Sequence, residues 1–128
     1  MSREKVLVLV VDDFADNREM YAEYLRFKGF DAAEAATGHE AVELANSLLP
    51  DVICMDLSLP GMDGWEATRR LKADDRTRHI PIVVVTGHAF DGDGQSALEA
   101  GGDRFLTKPC LPEELLSSIE SLLARGQP

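Results

Sequence analysis

The chain has 128 residues, which is enough for one domain around a single hydrophobic core but short for two. Its net charge of −10 argues against a direct nucleic-acid partner, because binding DNA or RNA normally needs a basic face. A basic protein partner, or a divalent cation gathered by carboxylates, fits this charge better.

The first half of the chain predicts strands and helices in alternation. Apolar runs separated by helical stretches are typical of buried parallel strands. Gly29 and Pro50 suit the ends of the two helices. The weak element is 30–35, whose alanines favour helix; we assign it as a short edge strand because the alternation requires one. The predicted elements are strands 5–11, 30–35 and 51–56 and helices 16–28 and 38–48.

The second half continues the alternation after a loop over 57–64 that is rich in turn residues. Asp63 in this loop suits the cap of the helix that follows. The helix over 91–100 begins poorly, because Gly92 and Gly94 each cost roughly 1 kcal/mol relative to alanine. The predicted elements are strands 80–85 and 103–107 and helices 65–73, 91–100 and 112–124.

Five strand–helix units of this length predict a three-layer α/β sandwich, in which right-handed crossovers join the strands of one parallel sheet. The sequence shows no linker, repeat or low-complexity segment. Residues 1–128 are therefore expected to form a single domain.

The cysteines and the amino-terminal segment exclude several other classes. Cys54 lies inside an apolar run and Cys110 in a predicted loop, without the spacing of a zinc site or a disulfide framework. The first apolar run is too short to span a membrane and has no signal-peptide pattern. We expect a cytoplasmic protein with no membrane partner.

Four of the predicted strands end in polar residues that would meet at one edge of the sheet. These residues are the acid pair Asp12-Asp13, then Asp56, Thr86 and Lys108. In an open parallel sheet the carboxyl ends of the strands form the ligand crevice. Neighbouring carboxylates repel one another unless a cation lies among them, and Mg²⁺ prefers such hard oxygen ligands. With that charge lowered, an aspartate can act as the nucleophile in phosphoryl transfer.

The order and spacing of these motifs resemble the receiver domain of two-component response regulators. The resemblance covers nearly all 128 residues, and its motifs are specific in combination although each is weak alone. It implies a flavodoxin-like fold with five parallel strands in the order 2-1-3-4-5. The matching segments are Asp12-Asp13, 56–64, Thr86, and Lys108-Pro109 preceded by Phe105.

The resemblance implies a role for each residue at the acidic end of the site. Asp56 would be the phosphoryl acceptor. Asp13 would bind Mg²⁺ directly, and Asp12 would bind it directly or through a water molecule. Asp56 and the backbone carbonyl of Ser58 would complete the protein ligands of the metal. Thr86 would donate a hydrogen bond to the phosphoryl group.

The remaining family positions imply a switch. Lys108 would pair with the phosphoryl group, and the Lys108–Pro109 peptide bond would be cis. Phe105 would change rotamer as Thr86 moves. Phe105 lacks the hydroxyl of the tyrosine that is common in the family, so any switch would be read through packing. Gly87, where the family often has another small residue, would loosen that loop.

The function that the resemblance implies is a phosphorylation-dependent signalling switch, not an enzyme acting on external substrates. A histidine kinase or histidine phosphotransfer protein would donate the phosphoryl group, and the domain would catalyse only its own phosphorylation and dephosphorylation. Binding to a downstream protein target would change through the face formed by 91–100, 103–107 and 112–124. A homodimer on phosphorylation is left open by the sequence.

Two alternatives remain open at this point. One is a phosphorylation-independent docking module that keeps only the fold. The other is an aspartyl-nucleophile phosphohydrolase resembling the haloacid dehalogenases, although that family separates its two acids by one residue, whereas Asp12 and Asp13 are adjacent here. Turnover of an external phosphomonoester would favour the phosphohydrolase, and a failure to bind Mg²⁺ would favour the docking module.

Overall fold

A computed structural model describes residues 5–87 and 101–125 of the chain. Five parallel strands form one sheet in the order β2-β1-β3-β4-β5, which confirms the order that the resemblance implied. The predicted helix over 91–100 lies outside the described residues. The strands are β1 (Leu7–Val11), β2 (Asp31–Ala35), β3 (Val52–Asp56), β4 (Ile82–Thr86) and β5 (Arg104–Thr107). The described helices are α1 (Ala15–Phe27), α2 (Gly38–Leu48), α3 (Gly64–Ala73) and α4 (Pro112–Arg125).

The sheet has a separate hydrophobic core on each face, because successive residues of a strand point to opposite sides. Leu9 and Val11 of β1 belong to the core that includes residues of α2 and α3. Val8 and Val10 belong to the core that includes residues of α1 and α4. The strands β3 and β4 are buried along their whole length. This burial on both faces explains why their sequences are continuous apolar runs.

The edge strand β2 confirms the weakest sequence assignment. Its five residues pair in parallel with all of β1, and Asp31 N donates to the Val6 carbonyl at 2.8 Å. Ala33 is partly buried against the core of α2 and α3, and Ala35 is buried within it. Tertiary pairing therefore overrides the helix preference of the alanines.

Local hydrogen bonds and backbone conformation define where three of the helices begin or end. Thr37 Oγ1 accepts from Glu40 N at 3.1 Å, and Glu40 Oε1 accepts from Ala36 N at 2.6 Å. Asp63 Oδ1 accepts from Glu66 N at 3.0 Å, as its predicted capping role requires. The left-handed Gly29, with φ of 98°, follows α1 at the position where the sequence predicted an end.

The predicted boundaries of β4 need a small correction. The strand spans Ile82–Thr86 and not 80–85, so Thr86 is its last residue. Pro81 has no N–H to donate to the ladder, and the Ile82 N–H donates to the Asp103 side chain at 2.8 Å. No helix in the described part of the chain has the length and apolar character needed to cross a membrane.

Candidate functional site

Three carboxylates meet at the carboxyl ends of β1 and β3. Asp12 and Asp13 follow the last residue of β1, and Asp56 is the last residue of β3. One oxygen of each carboxylate lies within 4.8 Å of one oxygen of each of the other two. Asp12 and Asp56 are each 3% exposed, whereas Asp13 is exposed to solvent. The structure therefore brings these three acids together at one edge of the sheet, as the sequence predicted.

Backbone hydrogen bonds hold the two buried carboxylates in place. Asp12 Oδ1 accepts from Phe14 N at 2.9 Å, and Asp56 Oδ1 accepts from Ser58 N at 3.1 Å. Each acid thus closes a tight turn with the residue two positions later. The Ser58 amide is part of this arrangement through its backbone, so its side chain, which is exposed, is not needed for the contact.

Lys108 supplies the positive charge of the site. Its Nζ lies 3.0 Å from Asp56 Oδ2 and 4.0 Å from Asp12 Oδ2. The Lys108 N–H donates to the Thr86 carbonyl at 2.7 Å, which fixes the lysine against the end of β4. The Lys108–Pro109 peptide bond is cis. One ammonium group therefore faces two buried carboxylates.

Thr86 and Phe105 lie on the neighbouring strands β4 and β5. Thr86 is 3% exposed and lies opposite Thr107 in the register of the two strands. Phe105 lies opposite Val84 and is partly buried against the core of α2 and α3. A Cβ atom at Gly102 would lie 3.0 Å from Phe105 Cε1, so the glycine leaves room for the ring.

Arg18 is a contact of the site that the sequence analysis missed. Its Nη1 donates to the Asp12 carbonyl at 3.0 Å, and its Nε donates to Glu34 Oε1 at 3.1 Å. Arg18 therefore ties the loop after β1 to the edge strand β2. No motif marks this pairing, since it depends on the packing of α1, which carries Arg18, beside β2, which carries Glu34.

The acids of the site differ from ordinary surface carboxylates. Burial raises the pKa of Asp12, the Phe14 N–H lowers it in part, and the negative charge of Asp56 raises it again. The site therefore disfavours the ionised form of Asp12. Mg²⁺ takes hard oxygen ligands and commonly uses one or two carboxylates, so Asp12, Asp13 and Asp56 form a donor set that suits it.

Replacing Asp12 by asparagine is expected to stabilise the metal-free protein at neutral pH. The Asp12 and Asp56 carboxylate oxygens lie within 4.8 Å of each other. Two like charges at such a distance cost up to roughly 3 kcal/mol near a protein surface, and Lys108 offsets part of that cost. We expect a gain of roughly 1–2 kcal/mol and a rise in Tm of roughly 4–8 °C. The asparagine oxygen can still accept from Phe14 N. Thermal unfolding in EDTA measures the gain.

The pH dependence of that gain has a definite sign. Because the pKa of Asp12 is raised in the folded state, ionisation favours the unfolded chain as the pH rises from the ordinary carboxyl range through the folded pKa. The advantage of Asp12→Asn should be present at pH 7 and should shrink as the pH falls to that range. An equal advantage at all pH values would contradict a charge origin. Asp75→Asn, at an exposed acid, is the matched control.

Comparison with known proteins finds a matching receiver-domain family and similar regulatory proteins. The family described as the response regulator receiver domain matches residues 8–120. The chain is 38% identical over 121 residues to the phosphate regulon transcriptional regulatory protein PhoB of Pseudomonas aeruginosa, which covers 94% of this chain and 53% of that protein. It is 34% identical over 116 residues to the polar-differentiation response regulator DivK of Brucella anthropi, covering 91% of this chain and 94% of DivK.

A solved structure agrees with the fold. The receiver domain of a sensor histidine kinase of Pseudomonas aeruginosa PAO1 superposes with a TM-score of 0.87 at 32% identity, over 94% of this chain and 98% of that one. That domain was solved with a magnesium ion coordinated in its active-site cleft. The chain spans about half the length of PhoB but nearly all of DivK. By its fold, its strand order and this match over most of its length, the chain belongs to the response regulator receiver domain family.

Proposed function

We propose that Asp56 accepts a phosphoryl group from a histidine kinase or a histidine phosphotransfer protein in a Mg²⁺-dependent reaction. The observation that carries the proposal is the 3.0 Å contact between Lys108 Nζ and Asp56 Oδ2, within a cluster of three carboxylates. An acid that serves only as a solvated surface group has no need for these features. Asp56, in contrast, is buried, contacts a lysine and lies beside two other acids. An acid that receives a negatively charged group needs neutralising charge around it.

The proposed step is an in-line displacement at phosphorus. An oxygen of the Asp56 carboxylate forms the new bond to phosphorus, and the bond between phosphorus and the donor's imidazole nitrogen breaks. The electron pair of the broken bond stays on that nitrogen, and the product is an acyl phosphate on Asp56. Lys108 stays near the non-bridging oxygens as a cation. Mg²⁺, held by Asp12, Asp13, Asp56 and the Ser58 carbonyl, would neutralise further charge on the phosphoryl group.

We further propose that phosphorylation is read out at the neighbouring strands. Thr86 donates a hydrogen bond to the phosphoryl group, and Phe105 on β5 repacks as Thr86 moves. The surface formed by β5 and α4 then changes its affinity for a downstream protein target. The support is the placement of Thr86 at the end of β4, beside β5, which carries Phe105. A coupling of only ~1–3 kcal/mol is enough for a switch of this kind.

The test is the intact mass of the protein after incubation with Mg²⁺ and a small acyl-phosphate donor. We expect one phosphoryl adduct on the wild type and none on Asp56→Asn. Asp75→Asn, which makes the same change at an exposed acid, should be labelled like the wild type. Labelling of Asp56→Asn would refute the assignment of the acceptor. Thermal unfolding of each variant shows that the fold is retained.

A second measurement separates this function from the alternatives. Trp65, the second residue of α3, is half-buried and close to the loop that follows Asp56, so its fluorescence is a convenient probe of Mg²⁺ binding. Mg²⁺ binding with a stable adduct supports the signalling switch. Neither binding nor an adduct would indicate a docking module, and turnover of an external phosphomonoester would indicate a phosphohydrolase.

A further inference from the structure

Tyr21 makes a buried contact across the molecule to the loop that carries Lys108. Its hydroxyl donates to the Cys110 carbonyl at 2.7 Å, and the two residues are 89 positions apart in the sequence. Tyr21 is 6% exposed, as is Cys110. Both belong to the core of α1 and α4, where their neighbours include Leu25, Leu115 and Ile119. The bond therefore joins α1 to the loop between β5 and α4 inside the protein.

The same loop is held from its other end at β4. The Lys108 N–H donates to the Thr86 carbonyl at 2.7 Å, and Pro109 and Cys110 follow directly. Leu111 begins the next element, since its carbonyl accepts from Glu114 N at 3.0 Å. Between Lys108 and Leu111, the Tyr21 bond is the contact that satisfies the buried Cys110 carbonyl. A buried carbonyl without a partner is unfavourable, so its loss favours movement of the loop.

Tyr21 also reaches the back of the acidic cluster. It lines a cavity of about 10 Å³ together with Asp12, Cys54 and Asp56. Such a space is close to the size of a single water molecule. Burial and the nearby charges raise the pKa of Tyr21 to about 12, so its hydroxyl stays protonated and able to donate at physiological pH. The Tyr21 hydroxyl thus remains a hydrogen-bond donor, and the residue contacts both the loop that carries Lys108 and the cavity beside Asp12 and Asp56.

We propose that Tyr21 is a positioning residue for phosphoryl transfer at this site: by holding the Cys110 carbonyl, it sets the position of Lys108 over Asp56. This inference rests on the proposed function of Asp56. Tyr21 does not touch the reacting atoms and acts through two residues of backbone. A misplacement of a charged group by a fraction of an ångström is enough to slow a reaction that depends on alignment.

Tyr21→Phe tests the proposal, because it removes the hydroxyl and keeps the ring in the core. We expect labelling of Asp56 by a small acyl-phosphate donor to slow by roughly five- to tenfold, with the Mg²⁺ affinity unchanged, since the metal ligands lie on other loops. Tyr24→Phe removes a hydroxyl from the same helix that makes no hydrogen bond within the described residues, and it should label like the wild type. An unchanged rate for Tyr21→Phe would overturn the proposal while leaving the role of Asp56 intact.

A double-mutant cycle separates positioning from a general loss of structure. If Tyr21 acts through the Lys108 ammonium, adding Tyr21→Phe to Lys108→Met should change the labelling rate by less than about twofold. An equal slowing in both backgrounds would overturn the proposal. Amide hydrogen exchange gives a readout that does not need the reaction: the Lys108 N–H should exchange faster in Tyr21→Phe than in Tyr24→Phe. Equal exchange would also count against it, and a wild type that is never labelled would refute both this inference and the proposed function.

Discussion

Replacing Lys108 by methionine is expected to slow the labelling of Asp56 by roughly 10²–10³-fold. Loss of one pre-positioned group that neutralises developing charge commonly has this effect. The Lys108 ammonium lies 3.0 Å from Asp56 Oδ2, where the incoming phosphoryl oxygens would need it. Methionine keeps an unbranched, flexible side chain of similar length and removes only the charged end. The time course of the mass increase at fixed donor and Mg²⁺ concentrations measures the rate.

The same substitution should not weaken the binding of Mg²⁺ and should instead favour it. Lys108 is also 4.0 Å from Asp12 Oδ2, so its positive charge competes with a cation for the acids. We expect Lys108→Met to bind Mg²⁺ at least as tightly as the wild type, measured through Trp65 fluorescence. Slow labelling with intact Mg²⁺ binding therefore assigns the loss to the ammonium group and not to a collapsed site.

The control for Lys108→Met is Lys28→Met, which changes the net charge equally at an exposed position after α1. That variant should be labelled at the wild-type rate. If Lys108→Met is labelled at a rate within about threefold of the wild-type rate, the decrease would be far smaller than the usual effect of losing a stabilising charge. It would remove Lys108 from the reaction and leave the ion pair as a structural contact.

Much of this site was predictable because each residue follows a strand whose apolar run is visible in the sequence. Asp12, Asp56 and Lys108 are far apart in the chain, but the carboxyl ends of parallel strands meet at one edge. The alternation of strands and helices also identified β2, whose local composition favours helix. The strand order came from the family resemblance, since a repeated strand–helix pattern does not by itself set the direction of each crossover.

Other parts of the site depend on contacts that carry no local signal. Arg18 on α1 meets Glu34 on β2 only because the helix packs beside that edge strand. The Tyr21 hydroxyl meets the Cys110 carbonyl only because α1 and the loop before α4 share one core. A tyrosine on the apolar face of a helix predicts burial but not the partner of its hydroxyl. Such partners become visible only when the packing of the layers is known.

Gly64, the glycine that begins α3, connects the fold to the position of Asp56. A Cβ atom at Gly64 would lie 2.3 Å from the Asp56 carbonyl oxygen and 2.7 Å from Leu57 Cα. Both are backbone atoms at the end of β3, so neither can rotate away as a side chain would. The Gly64 N–H also donates to the Leu57 carbonyl at 3.2 Å. The loop from 57 to 63 thus folds back tightly onto Asp56, the proposed phosphoryl acceptor.

Gly64→Ala is therefore expected to destabilise the protein, although alanine normally favours a helix over glycine by about 1 kcal/mol. Forcing a methyl group into a well-packed position costs roughly 1–3 kcal/mol, and an overlap with two backbone atoms belongs at the upper end. The net loss should be roughly 2 kcal/mol, or a fall in Tm of roughly 8 °C. Gly87→Ala is the matched control, since a Cβ atom there meets none of the described residues within 4 Å. Its stability should change by less than about 0.5 kcal/mol. Equal Tm values for the two variants would show that the end of β3 can move aside, and that the close approach of α3 does not fix Asp56.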